Sequence, residues 1–226
     1  MNILYFHHRP AAPSRLFLSL LVALQLLAGG CANTYYNAME KAGFHKRDIL
    51  TSRVKKARNA QSEAQEQFKS ALEQFSSVIN IGDSNLKKAY EKLNGEYEAS
   101  EKAAKQVSTR IRKVESVSDA LFSEWEKELA MYQNVKMRES SRRQLEETRD
   151  RYRRMLAAMH KAEKSMEPVL RTFRDNVLFL KHNLNARAIG ALRGEFSVLE
   201  GEIDSLIQRM NESIKSSDAF IAELGG

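Results

Sequence analysis

Apolar residues recur at alternating intervals of four and three along most of this chain, and that spacing constrains the fold more than any other feature. The first seam is Leu50, Val54, Ala57, Gln61, Ala64, Phe68, Ala71, Phe75 and Val78, with Gln61 its only polar member. Alternating fours and threes stay close to the 3.6-residue turn of an α-helix, so these side chains share one stripe of a helix. A strand would need alternation at every second residue, and no segment shows it.

The stop signals divide the pattern into helices. Asn80-Ile81-Gly82-Asp83-Ser84 offers a glycine stop followed by Asp83 and Ser84 as N-cap candidates, so the first helix is expected to end near Ile79 and the second to begin near Ser84. The second seam runs through Leu86, Tyr90, Leu93, Tyr97, Ser100, Ala104, Val107, Ile111, Val114, Ser118, Leu121, Trp125, Glu128 and Tyr132. A break is expected between Asn134 and Ser141, where Ser141-Arg142-Arg143-Gln144 matches a capping box in front of Leu145. The third seam is Leu145, Thr148, Tyr152, Met155, Met159, Ala162, Met166, Val169, Phe173, Asn176 and Leu180, and Pro168 inside it is expected to kink or interrupt the helix. Lys181-His182-Asn183-Leu184-Asn185 reads as a turn, with Asn183 in the left-handed position, Asn185 capping the next helix and Leu184 stapled onto Ile189. The fourth seam is Ile189, Leu192, Phe196, Leu199, Ile203, Leu206, Met210, Ser213, Ser217 and Phe220.

Long amphipathic helices joined by short turns predict an all-α fold, an elongated antiparallel bundle or coiled-coil hairpins over residues 46–222. Trp125 and the Met155, Met159 and Met166 group fall on the seams and are read as core. A C-terminal tail is expected over 223–226.

The first thirty residues carry a different signal. Arg15 precedes an apolar run, Leu16 to Leu27, and then Ala28-Gly29-Gly30 and Cys31, the only cysteine in the chain. A basic start, a short apolar core and small residues at a cut site mark a removed export segment over 1–30. The segment L-L-A-G-G-C resembles the bacterial lipobox, although the family pattern most often has Leu where Ala28 stands. The resemblance implies that Cys31 is acylated as the first residue of the mature chain, with 31–45 a lipidated tail. The same resemblance implies that Ala32 at the next position favours the outer membrane, periplasmic face, over retention in the inner membrane. Several acyl chains on one residue make such an anchor stable, because each buried CH₂ contributes about 0.8 kcal/mol. Without Arg9 and Arg15 the net charge falls from +7 to +5, too modest to indicate nucleic acid.

Four segments carry a second resemblance: Y-Y-N-A-M-E-K-A-G-F-H-K-R-D-I-L (Tyr35 to Leu50), E-Q-F-K-S-A-L-E-Q-F-S-S-V (Glu66 to Val78), L-F-S-E-W-E-K-E-L (Leu121 to Leu129) and F-R-D-N-V-L-F-L-K-H-N-L-N-A-R-A-I (Phe173 to Ile189). Together they resemble the bacterial family catalogued as domain of unknown function 2959. That resemblance implies a helical bacterial protein, commonly with a lipoprotein signal, and no assigned activity.

Catalytic readings fail on residues. There is no G-x-x-x-x-G-K-[ST] phosphate cradle, no H-E-x-x-H and no G-x-S-x-G, and His45, His160 and His182 are dispersed with no cysteine beside them. Carboxylates such as Glu124, Glu126 and Glu128 belong to a charged helix face. No enzyme, cofactor or metal is expected.

Two features stand out as candidate binding sites. Arg138, Arg142, Arg143, Arg149, Arg151, Arg153 and Arg154 concentrate near the start of the third helix, interspersed with Glu139, Glu146, Glu147 and Asp150. Ion pairs such as Glu147 with Arg151 account for part of this concentration, while unpaired guanidiniums suit phosphate or carboxylate groups of an envelope polymer or anionic lipid. The second is the corner from Val177 to Ile189, with Phe179 off the seam beside His182, Asn183 and Asn185. The expected function is therefore a structural, tethering or protein-interaction role for an outer-membrane-anchored lipoprotein. The alternative is a polymer- or lipid-binding module using the arginines. An envelope protein or polymer is the expected partner, and self-association through helical surfaces is left open.

Overall fold

The computed structural model describes residues 35, 36, 39, 45–80 and 85–224, the side chain of Ala186 excepted. The chain divides into two units, Met1–Gly43 and Phe44–Gly226. In the first, Tyr35 and Tyr36 are helical, with ring centroids 5.2 Å apart in an edge-to-face arrangement. Cys31 and the expected export segment lie outside the described residues.

The second unit consists of α1 (Lys46–Asn80), α2 (Leu86–Leu129), α3 (Val135–His182) and α4 (Ala186–Leu224). Each helix packs on its neighbours in sequence, and α4 closes back onto α1, so the four surround a common core. Contacts between the helices fix their directions. Lys46 at the start of α1 pairs with Glu124 near the end of α2, Trp125 of α2 with Ser141 near the start of α3, Arg151 of α3 with Glu223 near the end of α4, and Arg58 of α1 with Asp218 of α4. Every adjacent pair is antiparallel, as short connections require. At 1.5 Å per residue, helices of 35 to 48 residues give a bundle about 50 to 70 Å long.

The expected seams form the core. All nine residues of the first seam are buried, as are all of the third except the half-buried Thr148 and all of the fourth except the half-buried Phe196. Phe75 meets Phe173 and Phe196 at 6.2 and 6.0 Å, and Tyr97 meets Phe173 at 6.0 Å, so one aromatic layer draws on all four helices.

The second seam is only half-buried at Leu86, Tyr90 and Tyr97, and it departs further from expectation after Ser118. Phe122 and Leu129 are buried, whereas Leu121, Tyr132 and Trp125, the last read as core, are only half-buried and Glu128 is exposed. Val114, Ser118 and Phe122 make two successive steps of four, which let the stripe follow the 3.6-residue helix where a strict seven-residue repeat drifts off it.

The boundaries need correction at several points. Asn85 caps α2, its side chain accepting from the Lys88 N–H, and the expected candidates Asp83 and Ser84 lie outside the described residues. The α2 to α3 connection occupies 130–134, and Asn134 caps α3 by accepting from the Met137 N–H at 3.2 Å. Ser141 lies inside α3, where its hydroxyl accepts from Trp125 Nε1 at 2.8 Å, so it is not a cap. Pro168 does not interrupt α3. Lys164, whose carbonyl loses its helical partner to the ring, is exposed, so water can replace the bond, while buried Met166, Val169 and Phe173 hold the helix to the core. The C-terminal tail is shorter than expected, because α4 continues to Leu224, which is buried.

Candidate functional site

The antiparallel arrangement separates the two candidate regions. The arginine-rich start of α3 lies at the end of the bundle where α1 begins, and the Asn183 to Asn185 corner lies at the opposite end, where α1 ends and α2 begins.

At the first end, neighbouring carboxylates take up most of the arginines. Arg149 donates to Glu126 at 2.6 Å and lies over the Phe122 ring, 5.2 Å from its centroid. The hydrogen bond from Arg149, reinforced by its charge, holds the Glu126 carboxyl below its ordinary range. Arg151 bridges Glu147 and Glu223 at 3.6 and 3.1 Å, Arg153 meets Asp150 at 2.9 Å, and Arg142 reaches Glu139 at 4.0 Å. Arg143 and Arg154 are exposed and form no ion pair among the described residues, and the half-buried Arg138 has a buried Nε with no hydrogen-bond partner. The seven arginines are thus four in interhelical or local pairs and three, Arg138, Arg143 and Arg154, with no ion pair among the described residues, not one continuous anion cradle.

The tip joining α2 to α3 adds residues that sequence reasoning passed over. Met131, Val135 and Met137 are 74, 58 and 59% exposed. Basic Lys127, Lys136, Arg138, Arg142 and Arg143 surround them, against Glu128 and Glu139. The available signal was three apolar residues off every seam, clustered around a helix cap. Just behind the tip, Arg47, Leu121, Glu124, Trp125, Glu128, Thr148 and Leu224 line a groove of about 190 Å³.

At the opposite end, Asn185 caps α4 as expected, with Oδ1 accepting from the Ala188 N–H at 3.2 Å. Asn183 does not take the left-handed position, because its φ is −129°. Its side chain instead donates to the Phe179 carbonyl at 2.9 Å, which closes the last turn of α3 without positive φ. The staple is also corrected: Leu184 is 47% exposed while Ile189 is buried. His182 is exposed in the last turn of α3. Phe179, Asp175, Thr172, Ala191, Glu195 and Val198 flank a groove of about 400 Å³ between α3 and α4. With Leu178 and Leu184 also exposed, this end presents an apolar surface.

His160 bridges α2 and α3 midway along the bundle, with Nε2 2.9 Å from Glu115 and Nδ1 2.9 Å from Glu163. Its partial burial disfavours the charged imidazolium, but hydrogen bonds to Glu163 and Glu115, together with their charges, outweigh that effect and raise its pKa. Among the described residues, no group of three or more His, Cys, Asp or Glu side chains could hold a metal ion, and no helix is long and apolar enough to cross a membrane.

The model of a family described as protein of unknown function, DUF2959, matches residues 35–224, so the chain belongs to that family. No curated protein and no solved structure matches it.

Proposed function

We propose that this DUF2959 protein is a lipoprotein anchored through Cys31 in the outer membrane, on its periplasmic face. Its bundle acts as a structural tether that carries an interaction surface away from the lipid. The observation that supports this reading is the placement of the exposed Leu178, Phe179 and Leu184 at the end opposite Lys46, where the chain from Cys31 joins the bundle. An anchored bundle built this way holds that apolar end about 50 Å from its attachment, the length of α1. The core supports the same role, because buried seams over four long helices give a stiff spacer and leave the ends free for contacts.

Membrane fractionation of the wild type and the Cys31→Ser chain tests the reading, combined with photo-crosslinkers placed at Leu184 and at the mid-bundle position Glu163. The tether model expects Cys31→Ser to leave the outer membrane and crosslinks to an envelope component at Leu184 but not at Glu163. Unchanged fractionation, or equal crosslinking at both positions, contradicts it.

A further inference from the structure

The exposed apolar side chains at the α2 to α3 tip have no role in the bundle. Met131, Val135 and Met137 leave most of their surface in water, although each sits within a turn of a buried seam residue or a helix cap. The surrounding charge is one-sided: Lys127, Lys136, Arg138, Arg142 and Arg143 against Glu128 and Glu139. Within the tip Glu139 reaches Arg142 at 4.0 Å, while the other carboxylates that pair with nearby basic groups lie farther in, Glu124 on Lys46 and Glu126 on Arg149. An apolar tip ringed by Lys and Arg matches the two attractions that place a segment at a lipid surface, burial of apolar side chains below the headgroups and attraction of cations to anionic phosphates.

We infer that the α2 to α3 tip is a second membrane contact, which docks on an anionic phospholipid surface and sets the orientation of the bundle. The inference rests on the lipid-anchor reading in one respect: α1 begins at the same end as this tip, so an anchor at Cys31, only fifteen positions before Lys46, brings that end to the bilayer. A single anchor point does not fix the orientation of the bundle. Tip docking supplies a second point, so the bundle stands on the membrane by one end and the Leu184 corner points away. Each basic residue held near an anionic surface adds attraction and three apolar side chains add burial, so docking is favourable once the anchor has removed most of the cost of bringing the partners together.

Trp125, the only tryptophan, lies within two turns of the α2 C-terminus and reports on the tip without a label. The acylated protein is reconstituted into phosphatidylcholine vesicles with and without phosphatidylglycerol, with brominated acyl chains as the quencher. Two variants are compared with it: Met131→Glu/Val135→Glu/Met137→Glu and Lys136→Glu/Arg142→Glu/Arg143→Glu. All six positions are exposed, so the core is untouched, and circular dichroism checks that helix content is retained.

The inference expects Trp125 emission to be quenched in wild type, more strongly with phosphatidylglycerol and less at high ionic strength, and expects that quenching to be lost in both variants. Quenching that is absent from wild type, or equal in all three proteins, overturns it. A tip that serves a protein partner gives no quenching in pure lipid and overturns it too. Flotation of Cys31→Ser with the same vesicles separates the two readings: equal flotation counts against the anchor, whereas the quenching in wild type still decides the tip.

Discussion

The side-chain oxygen of Gln61 accepts a 3.0 Å hydrogen bond from Ser213 Oγ inside the core, where neither residue is exposed, and so ties α1 to α4. The Gln61 amide nitrogen has no hydrogen-bond partner. Gln65 and Asn211 repeat the tie one turn away, at 3.1 Å. A polar pair in an otherwise apolar seam costs stability and selects one register, because sliding either helix leaves both groups unpaired.

This pair predicts a non-additive mutant series. Ser213→Ala leaves the Gln61 oxygen unpartnered and should lower stability by about 1 to 3 kcal/mol. Adding Gln61→Leu removes the stranded group, and the double variant should match or exceed the wild type in urea denaturation midpoint. A double variant less stable than Ser213→Ala alone would count against this assignment.

A second buried tie makes stability fall in base. Tyr152 and Ser118 lie 2.5 Å apart between α3 and α2. Burial pushes the Tyr152 phenol up to about 12, the Ser118 hydrogen bond opposes the rise, and the Asp119 and Glu115 charges add to it. The unfolded chain then loses this proton near pH 10 while the folded chain keeps it. The contribution is therefore complete below pH 10 and is lost as pH rises through about 12. Tyr152→Phe should flatten the decline in thermal midpoint across that window. An identical decline in the variant would refute the link.

His160 gives the corresponding dependence near neutrality. Because Glu163 and Glu115 raise its pKa above the ordinary 6.5, its contribution is complete below that value and fades as pH rises through the raised one. His160→Gln should remove this slope while leaving the acid limb of the stability curve in place. NMR titration of the imidazole measures the shift directly, and a pKa below 6.5 would contradict the bridging geometry.

The cap assignments are also testable. Asn185→Ala should cost about 1 kcal/mol in denaturant unfolding, because the Ala188 N–H loses its acceptor, and Asn134→Ala should cost a similar amount. An unchanged or raised midpoint for Asn185→Ala would instead favour a continuous helix, in which Ala has the better propensity.

How far the fold was legible depended on what each signal measures. Seam residues such as Phe68, Met159 and Leu199 were readable because heptad spacing reports burial directly. The α2 to α3 boundary was misplaced because Ser141 and Gln144 satisfy the capping-box pattern equally well inside a helix, and only the approach of Trp125 shows where the serine hydroxyl is used. Phe122 and Leu129 were missed because a strict repeat cannot anticipate two steps of four. The arginines were visible as a cluster, but which of them were neutralised depended on Glu126 and Glu223, far away in sequence. The tip was overlooked because single exposed apolar residues carry no periodicity; only their convergence at one end makes them a surface.

The claim on which the tether depends is the acylation of Cys31, and the intact mass and N-terminal peptide of the protein purified from bacterial envelopes test it most directly. The account predicts a mature chain that begins at Cys31 and carries the added mass of acyl chains, both lost in Cys31→Ser. A chain that begins elsewhere, or a Cys31 that carries no added mass, would contradict it.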